Sequence, residues 1–419
     1  MEFGMVGTPG PSQPPEPGIA LPAASVPFVT GSADLARWAF LALVTVAVAA
    51  CTSSLRNPDA VRISPEELVA GTGLGVVADT HSLVSEGEVL AVSPEMRDFL
   101  DRHVSRKATA TFKLHQLTLA IINVDSLGVK YDDTTRTASE TFRHKQGNCL
   151  SFSNMFVAMA RDVGLKVQFQ EVDIPADWTF DNDTFVLNQH VDVVVDQGTP
   201  GTQVVDFNMA DFKTTYEMRR ISDARALAHY YNNIGVARMQ VGDAATALAC
   251  FRRAIVDSPD FSPAWTSLGT LYLRNGHPAH AEAAFLEALN VNESDSVAMS
   301  NLAGLYEQLG DRERAASYQK LVIAHRMRNP YYRYLLARSA FLSQDYRTAI
   351  AHLKWAIRQR PQEDSFYFLL GLTYFGEGDM RAAHRWLAKA EEVAGTDALK
   401  RKYASKVDAL LRTVGGTHQ

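Results

Sequence analysis

The sequence predicts an α+β domain followed by an all-α solenoid, and three observations predict it. Small residues recur at a fixed step of 34 through the C-terminal half, at Gly235, Gly269, Ala303, Ala337 and Gly371. Upstream, the loop Gln146-Gly147-Asn148-Cys149 opens a helical apolar period at Leu150, Phe152, Met155, Phe156, Met159, Ala160 and Val163. Strand-like runs follow it, His190-Val191-Asp192-Val193-Val194-Val195 and Val204-Val205-Asp206-Phe207. With 419 residues, 46% apolar and 21% charged, the chain is globular in composition and long enough for two or three domains. A net charge of −6 leaves no overall basic footprint for nucleic acid. The three cysteines, Cys51, Cys149 and Cys250, make no disulfide framework.

Taken in order, residues 1–33 are rich in Pro, Gly, Ser and Ala without an apolar period, which predicts disorder. Arg37 then precedes an apolar run from Trp38 to Ala50. Its 13 residues are too few for a bilayer, which takes about 20 helical residues, and match a signal-peptide core. The ending Val48-Ala49-Ala50-Cys51 resembles the bacterial lipobox. That resemblance implies a diacylglyceryl group on Cys51, a leader and signal peptide over 1–50, and a polar tether over 51–80 starting Thr52-Ser53-Ser54. Thr52 in place of an aspartate favours the outer membrane, with the protein facing the periplasm.

Residues 58–110 are weakly patterned, but Pro65-Glu66-Glu67 and Pro94-Glu95 read as helix starts, with Pro in the first turn and acids at the positive end of the dipole. Phe112, Leu114, Leu117, Leu119, Ile121 and Ile122 predict a helix whose apolar face covers the Cys149 helix. A thiol in a first turn faces backbone N–H groups without acceptors, which favours the nucleophilic thiolate. The order Cys149, His190, Asp206, with the helix ending in a Gly164 turn into a strand, resembles the transglutaminase-like (papain-like thiol) superfamily over 81–220. The resemblance implies Cys149 as nucleophile, His190 as base and Asp206 as the acid orienting it. Asp192 and Asp196 compete for that last role. Asp192 shares the strand face of His190 and can reach it only along the strand. Gln146, Asn148 and the backbone N–H of Cys149 are the oxyanion-donor candidates. In place of the aromatic residues that many members carry, Val191 and Asp192 follow His190 and Val205 precedes Asp206.

In the C-terminal half a second series, Ala247, Ala281, Ala315, Ala349 and Ala383, keeps the 34-residue step. Phe251, Phe285, Leu353 and Leu387 fall around it, as do Tyr272, Tyr306 and Tyr374, Trp265 and Tyr367, and Pro259 and Pro361. The pattern resembles five tetratricopeptide repeats over 228–395, closed by a capping helix at 396–414. The resemblance implies a concave face that holds a protein or peptide partner. Arg326, Arg328, Arg333, Arg338, Arg347, Arg358 and Arg360 give the fourth repeat a basic bias, readable as solvated helix faces or as a site for an acidic peptide or anionic polymer. His277, His280, His352 and His384 lack metal-ligand spacing and read as surface residues, and no cofactor is implied.

The functional expectation is a lipid-anchored envelope thiol hydrolase or transamidase that acts on a peptide or glutamine-type amide while the repeats recruit a partner. The alternative is a non-catalytic adaptor.

Overall fold

The computed structural model describes residues 63–405, apart from 79, 81–82, 174–177, 182–183, 188–189, 197–201, 206–216, 396–398 and 402. Cys51 and Asp206 therefore lie outside the described residues. Helix α1 is Pro65–Ala70, α2 Glu86–Val89, α3 Pro94–His103 and α4 Ala110–Ile122. The short strand β1 (Lys130–Tyr131) pairs in parallel with β2 (Gln146–Gly147), and α5 (Ala138–His144) lies between them in sequence. Then come α6 (Cys149–Asp162), β3 (Lys166–Asp173), the hairpin β4–β5 (Trp178–Asp181, Thr184–Leu187), β6 (His190–Asp196), β7 (Thr202–Val205) and β8 (Glu217–Ile221).

Strands β7, β6, β3 and β8 form an antiparallel sheet in that order. Its inner strand β6 is buried from His190 to Val195, which explains a run of valines without polar alternation. Helix α6 packs across β3 and β6. Every residue from Leu150 to Ala160 is buried, so this helix is the core of the domain. Lys113 Nζ donates to the Val163 carbonyl at 2.8 Å, placing a cation at the negative end of α6.

The face expected for α4 is only half right. Leu114, Leu117 and Ile121, spaced i, i+3, i+7, are buried, whereas Phe112, Leu119 and Ile122 are exposed on the other side of the helix. Six apolar positions in eleven residues exceed what one stripe of a helix with 3.6 residues per turn can hold.

From α7 (Asp223–Gln240) onward the chain is helix pairs: α8 Ala244–Asp257, α9 Ser262–Arg274, α10 Pro278–Val291, α11 Ser296–Gln308, α12 Arg312–Arg326, α13 Pro330–Leu342, α14 Tyr346–Gln359, α15 Asp364–Glu377 and α16 Met380–Val393. The recurring small residues sit where paired helices touch. A Cβ added at Gly269 would stand 2.6 Å from the Phe285 ring and 3.2 Å from the Ala281 carbonyl. The first helix starts before the expected 228, with Ser222 capping it through the Arg225 N–H. Of the expected cap at 396–414, residues 399–401 and 403–405 are described; they are helical, and Tyr403 stacks on Phe368 with ring centroids 4.9 Å apart.

Ala60 to Gln419 form one compact unit; of the expected tether at 51–80, residues 51–62 lie outside the described residues, and the stretch around Leu68 makes contacts with the array. Helix α1 is docked on the array. Leu68 is buried, and its carbonyl accepts a hydrogen bond from the Tyr272 hydroxyl at 2.9 Å. Farther along, the Val84 carbonyl accepts one from Tyr231 at 2.8 Å. Buried tyrosines need acceptors for their hydroxyls, and this segment supplies them. His277 and His280, expected as scattered surface residues, are half-buried and 5.8 Å apart by ring centroid, with His280 stacked on Tyr272.

Candidate active site

Cys149 is the first residue of α6 and is half-buried. Asn148 caps the helix: its Oδ1 accepts from the Ser151 N–H and from the Ser151 hydroxyl, both at 2.9 Å. Its Nδ2 donates to Thr135 Oγ1 at 2.7 Å. Asn148 is thus committed to holding the loop rather than to an oxyanion, and Gln146 is exposed with its carbonyl bonded to Arg136. Of the oxyanion candidates, the backbone N–H of Cys149 keeps a position in the first turn, where no intrahelical acceptor exists.

The loop before the thiol is tightly held. Arg136 Nη1 bonds Asp132 at 2.7 Å and the Gln146 carbonyl at 3.1 Å, while the Arg136 N–H bonds Ser151 Oγ at 2.8 Å. Asn148 N–H reaches the Thr134 carbonyl at 3.2 Å. Gly147 leaves room for this closure, since a Cβ there would stand 2.5 Å from Ser151 Cβ.

His190 opens β6 and is 8% exposed. The link between thiol and histidine runs through Ser153, one turn beyond Cys149 and so on the same side of α6. Its hydroxyl donates to the Val191 carbonyl at 2.9 Å, fixing the Cys149 end of the helix to the start of the strand that carries His190. Reading the sequence missed Ser153, because a serine amid an apolar helix looks like any tolerated small residue; its i+4 spacing from Cys149 was the available signal.

The orienting acid divides as follows. Asp196 is exposed at the far end of β6, six residues or about 20 Å from His190. There it lines a cavity of about 380 Å³ with Arg161, Lys166 and Arg220, so it does not serve His190. Asp192 is fully buried, two residues from His190, and its Oδ1 accepts from Gln170 Nε2 at 3.2 Å. Asp206 lies outside the described residues; Val205, the residue before it, is registered against Val193 of β6. Cys250 is a different kind of thiol, buried in α8, and burial pushes it up to about 12.

The site is joined to the first repeat. Thr135 Oγ1, which receives Asn148, also receives Asn233 Nδ2 at 3.3 Å. Glu171 of β3 accepts from Arg225 Nε and His229 Nε2, each at 2.7 Å, and from Arg219. Burial alone would raise the Glu171 carboxyl, but the bonds from His229 and Arg219 and the charge of Arg225 outweigh it and hold the group well below the usual carboxylate range. Burial pushes His229 down against the pull of that carboxylate, so a neutral imidazole donates to an ionised acid. Among the described residues no group of three or more His, Cys, Asp or Glu is placed to hold a metal, and no helix is long and apolar enough to cross a membrane.

Comparison with known proteins agrees with this division. Residues 97–198 match the transglutaminase-like superfamily, and 232–290, 266–330 and 334–399 match the tetratricopeptide repeat. The protein O-mannosyl-transferase TMTC3 of Mus musculus is 28% identical over 167 residues, covering 38% of this chain and 18% of that protein. The TPR repeat-containing protein PA4299 of Pseudomonas aeruginosa is 31% identical over 110 residues, covering 23% of this chain and 45% of that protein. The chain thus matches less than half the length of either relative. Among solved structures, YrrB, a TPR protein with an unusual peptide-binding site, is 17% identical and covers 42% of this chain and 92% of its own, at a TM-score of 0.23. The chain carries a transglutaminase-like domain, matched over 97–198, followed by tetratricopeptide repeats, matched over 232–399.

Proposed function

We propose that this protein is a thiol acyltransferase of the hydrolase or transamidase type, acting on a peptide or glutamine-type amide. The observation that carries the reading is Cys149 at the head of α6 with Ser153, one turn on, bonded to the carbonyl beside His190. His190 takes the thiol proton as Sγ attacks the amide carbon. The oxyanion forms against the backbone N–H of Cys149, and the C–N bond breaks as His190 returns the proton to the leaving amine. Water or an amine then releases the acyl group from the thioester. Asp206 or Asp192 fixes the imidazole tautomer.

The test is acylation by p-nitrophenyl acetate, in which Sγ displaces p-nitrophenolate. Peptide mapping should find the acetyl on Cys149 of the wild type and none at that peptide in His190→Ala. Absence of acetyl from Cys149 in the wild type would leave the adaptor reading, which the lack of an aromatic residue next to His190 and before Asp206 favours.

We further propose that Cys51 anchors the chain to the envelope by a lipid, in the outer membrane facing the periplasm. The support is the 13-residue apolar run ending at this cysteine. A palmitate analogue supplied to cells should label the wild type and not Cys51→Ser. Equal labelling of both overturns the anchor.

A further inference from the structure

The 34-residue step allows one face of the array to be followed from repeat to repeat. Tyr331 and Leu335 of α13 stand where His229 and Asn233 stand in α7 and where Val297 and Asn301 stand in α11. In the first repeat this face is taken by the chain itself: His229 bonds Glu171 and Asn233 bonds Thr135, both in the thiol domain. In the third, Val297 and Asn301 are buried, and strand β5 of the hairpin leading into His190 lies against α11. In the fourth repeat Tyr331 is covered, its ring 5.3 Å from that of Phe366 and its hydroxyl donating to Glu363 at 3.1 Å, and the rest of this face is open. Leu335 is 42% exposed and Leu342 71% exposed, and Arg338 lies between them on one stripe, at i, i+3 and i+7.

The sequence also explains why the array opens here. The position held by Phe251, Phe285, Leu353 and Leu387 is Gln319 in the third repeat. The position of Trp265 and Tyr367 is Arg333 in the fourth, and that of Tyr272, Tyr306 and Tyr374 is Ala340. Helices α8 and α9, α10 and α11, and α14 and α15 pack together across the other junctions, whereas α12 and α13 make no comparable contact. Arg333, in place of a bridging aromatic, folds back on its own repeat and lies 4.1 Å from the Trp355 ring.

Charge identifies the occupant. Between 326 and 360 the chain has eight Lys or Arg (326, 328, 333, 338, 347, 354, 358, 360) against one carboxylate, Asp345, in a protein of net charge −6. Asp345 is engaged as the cap of α14 through the Thr348 N–H. Arg338 is exposed and has no acidic partner among the described residues. Exposed leucines beside this field serve a peptide; a bare polyanion has nothing to place on them.

We infer that the fourth-repeat face of Leu335, Arg338 and Leu342 is the docking surface for a partner protein, and that it takes a segment with apolar side chains flanked by carboxylates. The first and third repeats, on this account, hold the thiol domain and the fourth recruits, so the array divides between the two tasks. The inference rests on reading the repeats as partner-binding and is independent of the thiol chemistry.

The test uses the full chain and a fluorescein-labelled synthetic peptide repeating Leu-Glu-Glu, followed by anisotropy, with Ser-Glu-Glu and Leu-Lys-Lys peptides and polyphosphate as comparisons. Leu-Glu-Glu should bind at least about tenfold tighter than either comparison peptide, and Leu335→Glu with Leu342→Glu, or Arg338→Glu alone, should each weaken it by about tenfold or more. These side chains are exposed, so melting should not change. Acetylation of Cys149 in the same variants should also hold, which separates failure here from failure of the enzyme reading. Equal binding of Ser-Glu-Glu, affinity unmoved in the variants, or polyphosphate binding that ignores the leucines overturns the inference. So does self-association of the wild type that the leucine variants abolish, since the occupant would then be a second copy.

Discussion

Glu171→Gln is expected to lower the stability of the joined domains by about 3–5 kcal/mol, because it removes the carboxylate from a buried ionic cluster and leaves its cations behind. Arg225 is nearly buried between Glu171, the Asp260 carbonyl at 2.9 Å and the Phe261 ring at 4.7 Å, and without Glu171 its counter-charge is the exposed Asp260 carboxylate, 3.3 Å from Nη1. The glutamine amide can still accept one hydrogen bond, so the loss is of charge rather than shape. Differential scanning calorimetry reads the effect, and a melting curve that coincides with the wild type would show the cluster to be energetically idle. The pH dependence has a fixed sign. His229 is lowered in the folded state, so protons bind the unfolded chain more readily as pH falls through about 6.5, and stability drops. Glu171 is also lowered, so the stability it contributes is present above about 4.5 and lost as pH falls below that value. Both act in the same direction. Glu171→Gln should abolish the lower window only.

Much of this architecture was visible in the residues because packing demands it locally. The 34-residue step survives since small residues must sit where two helices touch, as Gly269 does against Phe285. Cys149 at a helix start was legible from Asn148, a capping residue directly before an apolar period. The contacts that join the domains were not legible. Glu171, Thr135, Leu68 and Val84 meet the array through hydrogen bonds to His229, Asn233, Tyr272 and Tyr231, and three of these pairs are more than 90 residues apart in sequence. A polar residue in a strand or loop carries no sign of a partner that distant. For the same reason helix α1, whose proline and acids mark a start, gave no hint that it docks on the array. The open junction before the fourth repeat was written in Gln319 and Arg333, but it is seen only when departures from the repeat are read as closely as agreements.

Alkylation of Cys149 by iodoacetamide at pH 6 is expected to slow by at least about tenfold in His190→Ala, because His190 is the base that takes the thiol proton as Sγ attacks, and the variant has none. Cys250 serves as an internal control: buried in α8, its thiol pushed up to about 12, it should stay unmodified in the folded protein. The two aspartates separate by what else they do. Asp206→Asn should reduce the rate less than His190→Ala does, through orientation alone. Asp192→Asn alters a buried carboxylate bonded to Gln170, so it should lower the melting temperature whether or not it slows the thiol. If the rate falls in Asp192→Asn and not in Asp206→Asn, the orienting acid lies on the histidine's own strand. Ser153→Ala offers the complementary control, since it loosens the tie to the Val191 carbonyl without touching either reacting group. It should slow alkylation by orientation, and by less than His190→Ala does. A wild-type rate no faster than that of a free thiol, and unmoved by His190→Ala, would sink the catalytic pair and leave the domain a scaffold.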